Sequence, residues 1–171
     1  MIYLILSILF STGIFVIFKY YGIYKVDVLK ALFINYLVAF IMGFALSERK
    51  VSVSEILYED WFYGALFLGA LFITIFFIMA KTSQNNGVSV ASIAGKMSVV
   101  IPIFFGIFLY NESITFIKVL GIVIALIAVY LSSVKKEKTQ STGGILFPIL
   151  LFFGSGVIDT TIKYIENNFV A

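Results

Sequence analysis

The sequence predicts an all-α fold, a polytopic bundle of about six transmembrane helices, and three observations carry that expectation. Hydrophobic residues make up 61% of the 171 and charged residues 12%. The charged positions cluster, and the apolar runs between them approach the roughly 20 residues that a helix needs to cross a hydrocarbon core. A soluble helix keeps one wet face and breaks such runs sooner. The net charge of +3 is therefore read as loop charge bearing on orientation, and no nucleic-acid partner is expected. The chain has neither Cys nor His, so disulfides, thiolate or imidazole metal ligands and His-activated nucleophiles are excluded. No metal or cofactor is expected.

The spans follow in order. The first is expected over about Ile2 to Tyr20; it starts without a basic segment or a small-residue cleavage site, so it reads as a retained span rather than a signal peptide. The second runs from about Val28 to Leu46. The polar loop SERKVSVSEILYED follows, with Trp61 and Tyr63 at the next interface. The third span is expected from about Phe62 to Ala80, leaving TSQNNG as a loop, because Asn and Gly tolerate positive φ. The fourth is about Val88 to Tyr110. Asn111, Glu112 and Ser113 then make a turn short enough to force spans four and five to be antiparallel neighbours, with Ser113 as a helix cap. The fifth is about Ile114 to Val134, residues 135–144 form a charged linker, and the sixth runs from about Ile145 to Tyr164.

The chemistry concentrates in span four. Ser89, Ser92 and Lys96 share one helical face, and Gly87, Ala91, Gly95 and Ser98 form a neighbouring stripe of small residues. In lipid, helices associate through close backbone approach and polar contacts, so the small stripe is expected to be a packing seam, as is Gly121 with Ala125 in span five. Lys96 lies roughly 13 Å into the span at 1.5 Å per residue, too deep to snorkel easily in a core of about 30 Å. An ionisable group at that depth marks a cavity, or else is satisfied structurally by a carbonyl or carboxylate of another helix. Pro102 removes a donor and is expected to kink the span, either for access to a site or simply as a bend.

Elsewhere the polar groups are sparser. Asp159 and Lys163 in span six stand at i,i+4, which suits an interfacial ion pair, or a coupling carboxylate if Asp159 faces a cavity. Gly154-Ser155-Gly156 reads as close helix packing, since no strand precedes it as a phosphate loop requires. Ser7, Ser11, Phe15 and Lys19 share a face of span one, a weak lining candidate, because membrane hydroxyls usually bond their own backbone. Asn35 is a better one, since its amide can bond a helix or a ligand. Without His, Cys or a close acidic pair at depth there is no recognisable catalytic set, so an enzyme is not expected.

The stretch NNGVSVASIAGKMSVVIPIFFGIFLYNESITFIKVLGIVIALIAVYL resembles the end of the first repeat in the EamA-like branch of the drug/metabolite transporter superfamily. The resemblance rests on Ala91 and Ser92 near the start of a span, Pro102 in its later half, Glu112 in the short turn and Gly121 early in the next span. It implies two five-helix repeats of opposite orientation with the substrate site between them. Residues 1–134 would be the first repeat and 145–171 the first span of an incomplete second, an N-terminal fragment completed by a second copy or by a missing C-terminal repeat. The embedded Glu that small multidrug exporters carry in their first span has no counterpart here, so that route of proton coupling is not implied.

The resemblance also implies cytoplasmic termini in a bacterial inner membrane. Lys19, Lys25, Lys30, Lys81, Lys135, Lys136 and Lys138 lie on one side against Arg49, Lys50, Lys118 and Lys163 on the other, a bias that points the opposite way. The expected function is a secondary transporter of small metabolites or drugs, with the lipid bilayer and a small-molecule substrate as partners. Lys96, Ser92, Ser89, Asn35 and Asp159 are the candidates for its path. The alternative is a non-transporting membrane subunit whose polar stripes only pack helices.

Overall fold

The computed structural model describes residues 2–47, 59–109, 115–134 and 144–170, and every regular element in them is helical. In order these are α1 (Ile2–Ile23), α2 (Val28–Leu46), α3 (Phe62–Asn85), α4 (Val88–Met97), α5 (Val100–Leu109), α6 (Phe116–Val134) and α7 (Leu146–Ile165), the last continuing into a π-helical turn, Glu166–Val170. Among the described residues, five stretches are long and apolar enough to cross a bilayer: Ile2–Ile23, Val28–Leu46, Phe62–Asn85, Val88–Gly106 and Leu146–Phe169. A shorter apolar helix, Phe116–Ile127, lies within α6. Large apolar side chains cover the outside, with Phe10 72% and Phe40 71% exposed, which suits lipid and would be a liability in water.

The connection from α1 to α2 closes with a Schellman motif. Val26 N–H donates to the Tyr21 carbonyl at 2.8 Å and Lys25 N–H to Gly22 at 3.4 Å, with Lys25 in the left-handed region at φ 53°. Asp27 then caps α2 by accepting from the N–H groups of Leu29 at 3.0 Å and Lys30 at 3.4 Å.

Two boundaries differ from expectation. Span three does not end near Ala80: α3 carries Lys81, Thr82, Ser83 and Gln84 as helix up to Asn85. Their polar groups find partners, which removes the reason for a loop. Thr82 Oγ1 donates to the Ile78 carbonyl at 2.7 Å, while Ser83 Oγ and Gln84 Nε2 reach across to the carbonyls of Phe15 at 2.8 Å and Phe18 at 3.1 Å. The turn into α4 is made by Asn86 and by Gly87 at φ 100°, a conformation that side chains with a Cβ rarely adopt.

Span four, in turn, is two helices rather than one. It breaks at Ser98 and Val99, four residues before Pro102, whose missing N–H leaves the Ser98 carbonyl without its α-helical donor. That carbonyl accepts instead from Ile101 N–H at 2.9 Å, and Ser98 Oγ turns back to the Gly95 carbonyl at 2.7 Å. The turn at Asn111 to Ser113, including Glu112, and residues 135–143 of the linker lie outside the described residues.

The bundle is assembled on α7, which packs against α3, α4 and α5, while α1 packs on α3 and α4, α2 on α3, and α6 on α4. Pro148, Leu151, Phe152, Gly156 and Ile158 form the buried face of α7 at helical spacing. Two glycines let it seat. A Cβ on Gly154 would overlap the end of the Ile75 side chain in α3, and one on Gly156 would lie 2.6 Å from Ile101 Cβ in α5. Close approach of this kind drives helix association in lipid, where burial of apolar surface contributes little. At Gly121 a Cβ would meet nothing within 4 Å among the described residues, so no packing seam is seen there among them.

Candidate functional site

A cleft of about 220 Å³ opens among α1, α3, α4 and α7. Its polar residues are Ser11 from α1, Lys96 from α4, and Ser155 and Asp159 from α7. Phe15, Phe72, Ile75, Phe76 and Met79 supply an apolar wall. Lys96 stands near the middle of the stretch Val88–Gly106, and Ser11 near the middle of α1, so the polar groups meet at membrane depth.

Local structure explains how each group arrives there. Gly95 faces α1, where a Cβ on it would come into ordinary contact with the Phe15 ring at 3.4 Å, and the next residue, Lys96, reaches Ser11. Lys96 Nζ donates to Ser11 Oγ at 2.9 Å, and Ser11 Oγ donates to the Ile8 carbonyl at 3.2 Å. An ammonium has three donors, and this neutral hydroxyl satisfies one of them. On the facing wall Ser155 and Asp159 are one turn apart on α7 and share its face.

No ion pair joins Lys96 to Asp159, and no hydrogen bond reaches the Asp159 carboxylate, among the described residues. The expected pairing of Asp159 with Lys163 is likewise not formed; the ion pair among the described residues is Lys30 with Asp27 at 3.9 Å. Asp159 instead lines the cleft.

The other expected residues scatter. Ser89 is exposed and Ser92 half-buried on α4, and neither lines the cleft, which lies at the Lys96 end of the face they share. Ala91 is fully buried in the core beside Ala94. Asn35 lines a second, smaller cavity of about 130 Å³ among α1, α2 and α3. Pro102 lies in α5, beyond the break, and outside both cavities. Ser155, absent from the sequence candidates, has its signal in the i,i+4 spacing to Asp159 and in the glycines that flank it.

The profile of the EamA-like transporter family matches residues 1–134, most of the chain. The chain belongs to this family of membrane transporters. Together with the apolar stretches described above, membership makes it an integral, multi-pass membrane protein. It is similar to an uncharacterized protein of Haemophilus influenzae, 26% identical over 174 residues, an alignment covering 96% of this chain and 59% of that protein. No solved structure matches.

Proposed function

We propose that the chain forms the solute-binding part of a secondary transporter for small zwitterionic metabolites, amino-acid-like in having both charges on a compact head. One observation carries this reading: Lys96 and Asp159, opposite charges on α4 and α7, line a single cleft at membrane depth without pairing with each other. Charges at that depth are expensive unless something neutralises them, and a zwitterion bridges the two, carboxylate to Lys96 and ammonium to Asp159. The cleft holds the equivalent of about seven waters at roughly 30 Å³ each, which suits a compact solute. Its aromatic wall takes an apolar substituent. Family membership supports transport in preference to a purely structural role, and a bacterial inner membrane is the setting this reading assumes.

Counterflow of three labelled probes into proteoliposomes tests it: leucine, the corresponding anion isocaproate, and the corresponding cation isoamylamine. Leucine is expected to be carried. Lys96→Met is expected to lower its apparent affinity roughly ten- to a hundredfold, the equivalent of one charge-assisted hydrogen bond. Asp159→Asn is expected to weaken leucine similarly while sparing isocaproate. Equal carriage of all three probes, or indifference to both substitutions, refutes the reading.

A further inference from the structure

The cleft and the smaller cavity adjoin each other. Ile14 and Phe76 line both, so these two side chains are the wall between them. Beyond that wall the second cavity is bounded by Ile17, Phe18, Tyr21, Ala31, Leu32 and Asn35. We propose that the two are compartments of one binding site, with Phe76 as the partition that sets how long a solute can be. The charged head sits at Lys96 and Asp159, and the second compartment takes an apolar arm tipped by a hydrogen-bonding group. This inference rests on the cleft being a solute site as proposed above.

Three observations support it. The Phe76 ring packs among other rings: Phe18 at 6.1 Å and Tyr36 at 6.3 Å meet it edge-on, and Phe72 lies at 6.0 Å. The χ1 of such a ring has a small set of staggered alternatives, and in the proposal a change of rotamer is what joins the compartments. Second, the far compartment is lined mostly by apolar groups and holds the equivalent of about four waters, the bulk of a short carbon arm. Third, two polar groups stand near this end without partners. The Tyr36 hydroxyl, on the ring that packs against Phe76, is buried without a hydrogen bond, and among the described residues none reaches the amide of Asn35, an exposed residue that lines the cavity. Unpartnered polar groups at membrane depth are costly, and the amide both donates and accepts, so a polar tip on the arm would satisfy it.

The natural absence of Cys provides a clean test on the full chain in proteoliposomes. Cysteine is introduced singly as Ala31→Cys in the far compartment, Ser155→Cys in the cleft, and Phe33→Cys on the exposed face of α2. Each is reacted with a water-soluble methanethiosulfonate reagent in backgrounds carrying Phe76, Phe76→Ala or Phe76→Trp. Ala31→Cys is expected to react several-fold faster with Phe76→Ala, up to about tenfold, and slower with Phe76→Trp, while Ser155→Cys and Phe33→Cys keep their rates. Excess glutamine, a zwitterion with an amide-tipped arm, is expected to protect Ala31→Cys better than excess glycine does.

Rates at Ala31→Cys that ignore Phe76, a parallel rise at Phe33→Cys, or equal protection by both solutes overturns the inference. Protection of Ser155→Cys in every background overturns the cleft reading and this one with it. Reactive Ser155→Cys combined with indifferent Ala31→Cys removes the partition alone.

Discussion

The two glycines that seat α7 make different demands, and substituting each with Ala separates packing from function. At Gly156 the new Cβ lies 2.6 Å from Ile101 Cβ, an atom fixed to the α5 backbone that no rotamer change can move. Carbon atoms prefer about 3.5–4.0 Å, so α5 and α7 must part by about 1 Å. Overpacking of this kind costs about 1–3 kcal/mol, and exchanging Gly for Ala in a helix returns about 1 kcal/mol. The constrained geometry places Gly156→Ala in the upper part of that range, a net loss of about 1–2 kcal/mol.

At Gly154 the clash is with the free end of Ile75, and Ile75 borders the cleft, so its terminal methyl can swing into open space. Gly154→Ala is therefore expected to keep near-native stability and to lose solute binding as the cleft fills. Unfolding of the detergent-solubilised protein in SDS, followed by the fluorescence of Trp61, the single Trp, measures the first effect. Leucine counterflow measures the second. If Gly156→Ala is as stable as the parent, or Gly154→Ala is the more damaging to stability, the seating argument is wrong.

Two further outcomes follow from hydrogen bonds and backbone geometry. Lys25 occupies a left-handed position that costs an L-residue about 1–2 kcal/mol, so Lys25→Gly is expected to raise stability by up to about 1 kcal/mol in the same SDS titration once the freer unfolded chain is counted. Ser83→Ala removes the buried bond from α3 to the Phe15 carbonyl of α1, and is expected to cost about 0.6 kcal/mol or somewhat more, the usual scale for polar contacts between membrane helices. An unchanged midpoint for Ser83→Ala would mean that Phe15 finds another donor.

Positions of spans were legible in the sequence because lipid imposes one rule on every residue of a helix: long apolar runs appear wherever the chain crosses. The end of α3 was not. Thr82, Ser83 and Gln84 look like loop residues by composition, yet the acceptors that keep Ser83 and Gln84 in a helix are carbonyls of Phe15 and Phe18, more than sixty residues away in sequence. Lys96 stood out because a deep charge is rare and costly. Ser11 stood among the weak lining candidates of span one, but its pairing with Lys96 could not be read, because it depends on how α1 approaches α4, a tertiary fact. Helical periodicity places Ser89 and Ser92 on the Lys96 face, but a face of more than one turn is wider than the cleft, and only Lys96 of the three enters it.

The position of Asp159 has a consequence for how the family region and the remainder of the chain cooperate. The family match ends at residue 134, whereas Ser155 and Asp159 lie beyond it on α7. The cation of the cleft therefore comes from inside the matched region and the anion from outside it. They meet because α7 is built to enter the bundle: Gly154 and Gly156 admit it against α3 and α5, Leu151 is fully buried, and the Asn86 side chain donates to the Gly144 carbonyl at 3.3 Å just before α7 begins. A helix attached only through lipid-facing contacts could drift without altering the site. The residues that seat this one flank those that line the cleft, so a motion of α7 against α4 changes the separation of the two charges. On the proposed reading, a zwitterion bridging Lys96 and Asp159 would draw α4 and α7 together, and its release would let them part.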